Sequence, residues 1–125
     1  MPTYSNVVPP SSIGFGDSAV VIAPTDTLSA TFKSAQVALQ HGYIGAQQRL
    51  SVEIVFSGAP GTFAVNLQTA DTDVDANYVL EGTAISAVNA NNVARLEVPQ
   101  VVANFARLVF TALGNSVTAT AKITG

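Results

Sequence analysis

The chain has 125 residues, enough for one domain with a sizeable hydrophobic core, and no cysteine, which excludes disulfides, thiolate metal sites and a cysteine nucleophile. Its formal net charge is −3 and its five basic residues are scattered, so it lacks the clustered Lys and Arg that bind nucleic-acid phosphates. Only 10% of the residues are charged, against about a quarter in an average soluble domain, so we expect copies of the chain or another protein to cover part of its surface.

Residues 1–17 are rich in Pro, Ser and Gly, and Pro9 and Pro10 favour an extended backbone over a helix. A solvated tail seldom carries many apolar groups, yet this segment does. We therefore predict an extended N-terminal arm that docks on another surface, with a disordered tail as the alternative. The candidate interface residues of the arm are Tyr4, Val7, Val8 and Phe15. The segment lacks the basic start and the apolar run of a signal peptide.

Residues 18–125 are predicted to form a single β-sandwich domain. Apolar and polar residues alternate over 50–56, 63–67 and 117–123, and this period of two is typical of strands with one buried and one exposed face. A Pro-Gly pair at 60–61 indicates a turn between the first two of these strands. One-sided strands of this kind indicate antiparallel sheets.

Shorter or more apolar runs complete a predicted set of eight or nine strands. They are 19–23, 28–39, 77–81, 84–88, 93–98 and 104–113, and we expect the run 28–39 to be interrupted. Gly, Asn and Pro separate the runs, among them Pro99, and turn signals at intervals of roughly 8–12 residues are typical of sandwiches and barrels. The absence of Cys and Trp argues against a true immunoglobulin domain. We therefore predict an all-β, antiparallel, jelly-roll-like sandwich. No run reaches the roughly 20 apolar residues of a membrane-spanning helix.

Three carboxylates at alternate positions, Asp71, Asp73 and Asp75, are the candidate metal ligands of the chain, since they could offer hard oxygen ligands to calcium. An EF-hand is excluded, because Ala76 stands where its loop requires Gly, and Gly82 where it requires a bidentate Glu. The favoured interpretation is a solvated loop whose Asp side chains cap backbone groups, and another type of calcium loop is the alternative. We predict no metal and no cofactor.

Candidate catalytic groups are few. His41 is the single histidine and cannot complete a usual zinc or copper site without a second His or a Cys, so we expect it in a surface loop. Glu53 and Glu97 could form the carboxylate pair of a glycosidase. The favoured interpretation is an exposed cross-strand ion pair with Arg49, Arg95 or Arg107. The common phosphate-binding, dinucleotide-binding, zinc-protease and serine-hydrolase motifs are absent, and we predict that the chain is not an enzyme.

Arg107 interrupts the otherwise apolar run 104–113. An arginine in such a strand reaches the rim of the core, pairs with an acid or anchors a protein interface. The sequence leaves these alternatives open, and we include Arg107 among the candidate interface residues.

Three stretches carry a family resemblance: FAVNLQTADTDVDANYVLEG at 63–82, VARLEVPQVVANFARLVF at 93–110 and NSVTATAKITG at 115–125. Together they resemble the capsid cement, or decoration, proteins of tailed bacteriophages. The resemblance runs from about residue 50 to residue 125 and depends on short strands rich in Ala, Val and Thr and on the LQTADTD loop.

The resemblance implies a non-enzymatic jelly-roll protein of the virion, located on the outer surface of the capsid. Its implied partners are the major capsid protein and other copies of the chain, in a homodimer or a homotrimer, whereas no nucleic acid and no membrane are expected. The alternative function is a carbohydrate-binding or fibre-base jelly-roll module of the virion. Carbohydrate binding would need exposed aromatic platforms, for which Tyr43 and Tyr78 are the candidates.

Overall fold

Eight strands in two antiparallel sheets form the described part of the chain. The computed structural model describes residues 4–5, 7, 12–14, 16–40 and 48–125. The strands are β1 (Ser18–Ile22), β2 (Val37–Ala38), β3 (Gln48–Phe56), β4 (Phe63–Ala70), β5 (Val79–Leu80), β6 (Val93–Val101), β7 (Phe105–Leu113) and β8 (Ala119–Thr124). A 3₁₀ turn over Asp75–Asn77 precedes β5. Among these residues no helix has the length and apolar character of a membrane span.

The strand order shows how the chain is wrapped. The first sheet has the order β1-β8-β3-β6, and the second has the order β2-β7-β4-β5. The first strand therefore pairs with the last, the second with the seventh, the third with the sixth and the fourth with the fifth, and successive pairs alternate between the sheets. All of these pairings are antiparallel. The prediction of an all-β antiparallel sandwich is confirmed.

Alternation along the strands builds the core between the sheets. In β4 the inward residues Phe63, Val65 and Leu67 are buried, and β3 buries every second residue in the same way. Phe56 of β3 packs edge-to-face on Phe63 and Phe110, with ring centroids 5.1 and 6.4 Å apart. Burying a large aliphatic or aromatic side chain stabilises the fold by roughly 1.5–3 kcal/mol. The opposite faces of the same strands carry the polar residues.

The predicted run 28–39 follows β7 but forms a regular strand only over β2. The N–H of Ser34 bonds to the Leu108 carbonyl, whereas the Leu108 N–H bonds to the side-chain Oγ of Ser34, both at 2.8 Å. The hydroxyl thus replaces the backbone carbonyl that a regular antiparallel ladder would use. This buried side chain explains why a run with a strand-like composition is irregular over most of its length.

Two differences from the predicted strands lie at the edges of the sheets. The run 84–88 contributes only a bridge between Ile85 and Val65 of β4. Pro99, which we expected to end a strand, lies inside β6. The strand tolerates this proline because β6 is the edge of the first sheet. On the free side of an edge strand, no hydrogen bond to a neighbouring strand requires the N–H that proline lacks.

The described residues of the leading segment lie against the same chain. Tyr4 and Ile13 form parallel bridges with Lys33 and Leu39, respectively. Ile13 is fully buried and belongs to the hydrophobic core. The domain boundary at residue 18, and the docking of an arm on a neighbouring subunit, stay predictions.

Candidate functional site

Two groups of mostly polar residues lie on the outer faces of the two sheets, and they contain the predicted residues Asp73, Asp75, Arg107, Glu53 and Glu97. On the second sheet the loop before β5 returns over β7, and we call the residues that meet there the loop cluster: Lys33, Asp73, Asp75, Tyr78 and Arg107. On the first sheet polar residues of three neighbouring strands line a common groove, and we call them the polar ladder: Ser51, Glu53, Arg95, Glu97, Lys122 and Thr124.

Arg107 is the centre of the loop cluster. It lies in β7 between the inward-facing Ala106 and Leu108, so its side chain leaves on the outer face of the sheet. Its Nη1 donates to Asp75 Oδ1 at 2.6 Å and its Nε to Gln68 Oε1 of β4 at 3.0 Å. It is nevertheless only 7% exposed. Of the alternatives that the sequence left open, Arg107 thus pairs with an acid of its own chain, and its part in an interface stays a prediction.

Tyr78 packs on the same guanidinium. The Arg107 Cζ lies 3.9 Å from the centroid of the Tyr78 ring, a cation–π contact. The phenol donates to Asp73 Oδ1 at 2.7 Å. Burial, followed by this hydrogen bond to Asp73, raises the pKa of Tyr78 above its ordinary value of 10. Because the ring is buried and covered by Arg107, Tyr78 is not the exposed platform that carbohydrate binding requires.

Two of the three loop carboxylates, Asp73 and Asp75, accept hydrogen bonds from side chains of the protein. Asp75 also pairs with Lys33 Nζ at 3.4 Å, and Asp73 Oδ2 accepts from the side chain of Gln36 at 2.8 Å. The hydrogen bond from Arg107, followed by the charge of Lys33, lowers the pKa of Asp75. Within the described residues, no three Asp, Glu or His side chains are grouped to hold a metal ion. The candidate calcium ligands Asp71, Asp73 and Asp75 therefore do not converge on one position.

The polar ladder is ordered by strand register. Glu53 of β3 lies between Arg95 of β6 and Lys122 of β8. The Nε and Nη2 of Arg95 both donate to Glu53 Oε2, at 3.1 and 2.8 Å. This is the exposed cross-strand ion pair that the sequence predicted, and an exposed pair stabilises a fold by about 1 kcal/mol at most.

A second row of the ladder places Ser51 between Glu97 of β6 and Thr124 of β8. The groove over both rows has a volume of about 610 Å³. Glu53 and Glu97 line it as diagonal neighbours, but a glycosidase acid is a carboxyl kept protonated by an apolar site. Glu53 is instead bound to a guanidinium, and Glu97 is exposed on an edge strand. The arrangement favours ion pairing over acid catalysis.

The arm candidates differ in exposure. Tyr4 is 53% exposed, with Lys33 Nζ 5.3 Å from its ring centroid, and Val7 packs partly buried against the core. Six residues that the sequence analysis named lie outside the described residues: Val8, Pro9, Pro10, Phe15, His41 and Tyr43.

An exposed apolar edge is a feature that sequence reasoning missed. Val79 and Leu80 of β5 are 63% and 51% exposed, and Val102, directly after β6, is 68% exposed. Val79 and Val102 line a common groove of about 270 Å³. The sequence could not predict this exposure. In a strand of two residues, an apolar residue that faces solvent cannot be distinguished by sequence pattern from one that faces the core.

No protein-family model matches the chain, and a search of the curated proteins finds no significant match. The resemblance of 63–82, 93–110 and 115–125 to phage decoration proteins therefore stays a prediction. The functional proposal therefore depends on the strand order, the surface charges and the exposed apolar edge.

Proposed function

We propose that the chain is a structural virion protein, a decoration protein that binds the outer surface of a phage capsid and stabilises the head. The strand order carries this proposal. In the eight described strands, the first pairs with the last, the second with the seventh, and so on inward. This is the strand pairing expected of a jelly roll, and we propose that fold for the chain. Jelly rolls are common in viral capsid and lectin domains.

The distribution of charge supports a structural role. In the loop cluster, and in the Glu53–Arg95 pair, the charged groups bind each other on the surface of the chain. The remaining outward positions of the strands are mostly Ser, Thr, Asn, Gln and small apolar residues. Such a surface can be covered at low cost, because few charged groups lose their water.

The apolar edge supplies a contact surface for the major capsid protein. Val79, Leu80 and Val102 are large apolar side chains in solvent at one edge of the sandwich. Exposed apolar groups that share a groove are typical of interaction sites. In an assembly of many symmetric copies, a small contact of this kind is sufficient because weak contacts act together.

Decoration of shells tests the proposal. Expanded shells of the major capsid protein from the same genome, assembled without this chain, are mixed with the purified chain and sedimented. We expect the chain to sediment with the shells in a fixed ratio, to lie on their outer surface in cryo-electron micrographs and to raise the temperature at which they break.

Two valine variants locate the contact. Val102→Ser should weaken shell binding by about tenfold, which is the effect of losing one well-packed contact residue. Val74→Ser is the matched control, because Val74 is also exposed, at 49%, but does not line the groove that Val79 and Val102 share. Failure to bind shells, or a position inside the shell or on the tail, would overturn the proposal. Binding to glycans with no binding to shells would favour the carbohydrate-binding or fibre-base alternative.

A further inference from the structure

The edge strand β6 has backbone groups that no strand of the described chain uses. It pairs only with β3 in the first sheet. The Phe56 N–H bonds to the Asn92 carbonyl at 3.0 Å, and this bond sets the alternation along the pair, because hydrogen-bonded and non-hydrogen-bonded positions alternate in an antiparallel ladder. The positions of β6 whose backbone groups point toward β3 are 94, 96 and 98, and those pointing away are 93, 95 and 97.

Only part of this free edge is occupied. The N–H of Val93 bonds to Asn89 Oδ1 and its carbonyl accepts the Asn89 N–H, both at 3.0 Å. For Arg95 and Glu97, the described residues provide no backbone partner on this side. A row of free N–H and C=O groups of this kind is a template for pairing with another chain.

We propose that β6 pairs with β6 of a second copy of this chain, antiparallel about a two-fold axis at Leu96. This register places Arg95 opposite Glu97 of the second copy, and Glu97 opposite Arg95 of the second copy. Each of these two pairs exchanges both of its backbone hydrogen bonds, because all four residues direct their free groups outward. The two first sheets then form one continuous sheet, and the two-fold symmetry closes the assembly at a dimer.

Charge complementarity identifies the second copy as the occupant. Arg95 uses Nε and Nη2 on Glu53, whereas its Nη1 has no bond within the described chain. Glu97 has no ion-pair partner there either. In the dimer each Arg95 lies between Glu53 of its own chain and Glu97 of the other, and opposite charges directly across an antiparallel pair stabilise it.

The signs of the two charges indicate that they do not serve to prevent the pairing of β6 with another strand. Charged residues on an edge strand often prevent pairing, but they do so through like-charge repulsion. Here the two charges are opposite and lie two residues apart, on either side of the two-fold axis at Leu96. Each Arg95 therefore faces a Glu97 of the second copy, and the charges attract. On the inner face the same register pairs Leu96 with its own copy and Ala94 with Val98 of the second copy, which are apolar contacts.

Charge reversal with complementation tests the dimer. Arg95→Glu and Glu97→Lys each place like charges opposite one another in both symmetry-related pairs. We expect the wild type to sediment as a dimer, and each variant to have a dimer dissociation constant raised by about tenfold or more. An equimolar mixture of the two variants should recover the dimer, because the mixed dimer has opposite charges at both pairs. Asp71→Lys, a charge reversal in the loop between β4 and β5 of the second sheet, should leave the dissociation constant unchanged.

Hydrogen exchange gives a readout that does not depend on the variants folding. In the wild type, exchange of the Arg95 and Glu97 amides should slow as the protein concentration rises through the dissociation constant. Any of three results would overturn the proposal: the wild type is a monomer or a trimer, the exchange of these amides does not depend on protein concentration, or the mixture of the two variants stays monomeric.

The dimer goes beyond the proposed function, and the two fail separately. A wild-type dimer that does not bind shells overturns the decoration role and leaves the interface supported. A wild-type monomer that binds shells overturns the interface and leaves the decoration role supported.

Discussion

At the scale of single residues, Arg107 fixes an acidic loop to the surface of a sheet. Its planar side chain donates to Gln68 and Asp75 at the same time and places its face on the Tyr78 ring. A guanidinium offers several donors in one plane, whereas an ammonium is a point charge that cannot form this combination. The loop is therefore held by directed hydrogen bonds and a ring contact as well as by charge.

Replacement of Arg107 should lower stability measurably. We expect Arg107→Ala to reduce the free energy of unfolding by about 2 kcal/mol, because a buried side chain loses its bond to Gln68 and its ring contact. Arg107→Lys should recover less than half of this. Lys122→Ala, at an exposed position, should cost about 0.5 kcal/mol or less. Urea unfolding measures all three, and equal losses for the two alanine variants would contradict the expectation.

Asp75 should make stability depend on acidity. Its pKa is lower in the folded chain than the unfolded value of 3.8, so the unfolded state binds more protons as the pH falls. The stabilisation is complete above the unfolded pKa and is lost as the pH falls through the folded pKa.

The expected result is a difference in melting temperature between the wild type and Asp75→Asn that shrinks between about pH 5 and about pH 2. Asp71→Asn is the control, because the Asp71 carboxylate has no ion pair in the described chain. A wild type that retains its full advantage over Asp75→Asn at about pH 2 would show that the ion pairs of this carboxylate do not contribute.

The sequence predicted some of these residue contacts and could not predict others. The Glu53–Arg95 pair was expected because charged residues on neighbouring one-sided strands meet across the sheet. The partner of Arg107 was not predictable, because Asp75 lies 32 residues away and reaches it only through the register that sets Gln68 opposite Arg107. Register depends on the whole sheet rather than on local composition.

At the scale of strands, each sheet has a place where a serine hydroxyl accepts a backbone N–H in place of a carbonyl. The Oγ of Ser34 accepts the N–H of Leu108 in a buried position, whereas the Oγ of Ser57 accepts the N–H of Thr118 in an exposed one. The two bonds are alike in chemistry and differ in access to water. Water can replace the exposed hydroxyl but not the buried one.

This pair of serines allows a matched test. Ser34→Ala should lower the free energy of unfolding by about 2 kcal/mol, because a buried N–H of β7 loses its acceptor. Ser57→Ala should cost about 0.5 kcal/mol, since water satisfies the Thr118 N–H. Chemical denaturation of both variants checks the difference. A loss for Ser57→Ala as large as that for Ser34→Ala would mean that burial does not set the cost.

Strands with strict alternation were the ones that the sequence placed well. The runs 50–56, 63–67 and 117–123 became β3, β4 and β8 with shifts of a few residues. The interruption expected within 28–39 lies around Ser34, whereas 84–88 contributes only a bridge beside β4 and not the predicted strand. Composition describes which residues suit a strand, whereas neighbouring strands decide whether one forms.

At the scale of the whole molecule, the wrapping joins distant parts of the chain. The hydroxyls of Ser18 and Thr124 lie 2.8 Å apart although the residues are 106 positions apart. A contact between distant residues forms only after the long chain segment between them has lost conformational entropy. Folds with many such contacts therefore fold slowly. Sandwiches of this type fold in roughly milliseconds to seconds.

We expect the main refolding phase of this chain to lie in that range. Tyrosine fluorescence after rapid dilution from urea measures it, since the chain has three tyrosines and no tryptophan. Phases of about 10–100 s would be assigned to proline isomerisation and should accelerate with a prolyl isomerase. A main phase in the microsecond range would be inconsistent with closing β1 on β8.

The same pairing determines how the molecule carries mechanical tension. A pull applied between residues 18 and 124 starts at one end of the β1·β8 ladder and opens its hydrogen bonds one after another, as a zipper opens. A pull along the length of neighbouring strands would instead strain many bonds together, in shear. The fold should therefore withstand more force when it is held by its sheet faces and lateral edges than when it is held at the paired ends of its first and last strands.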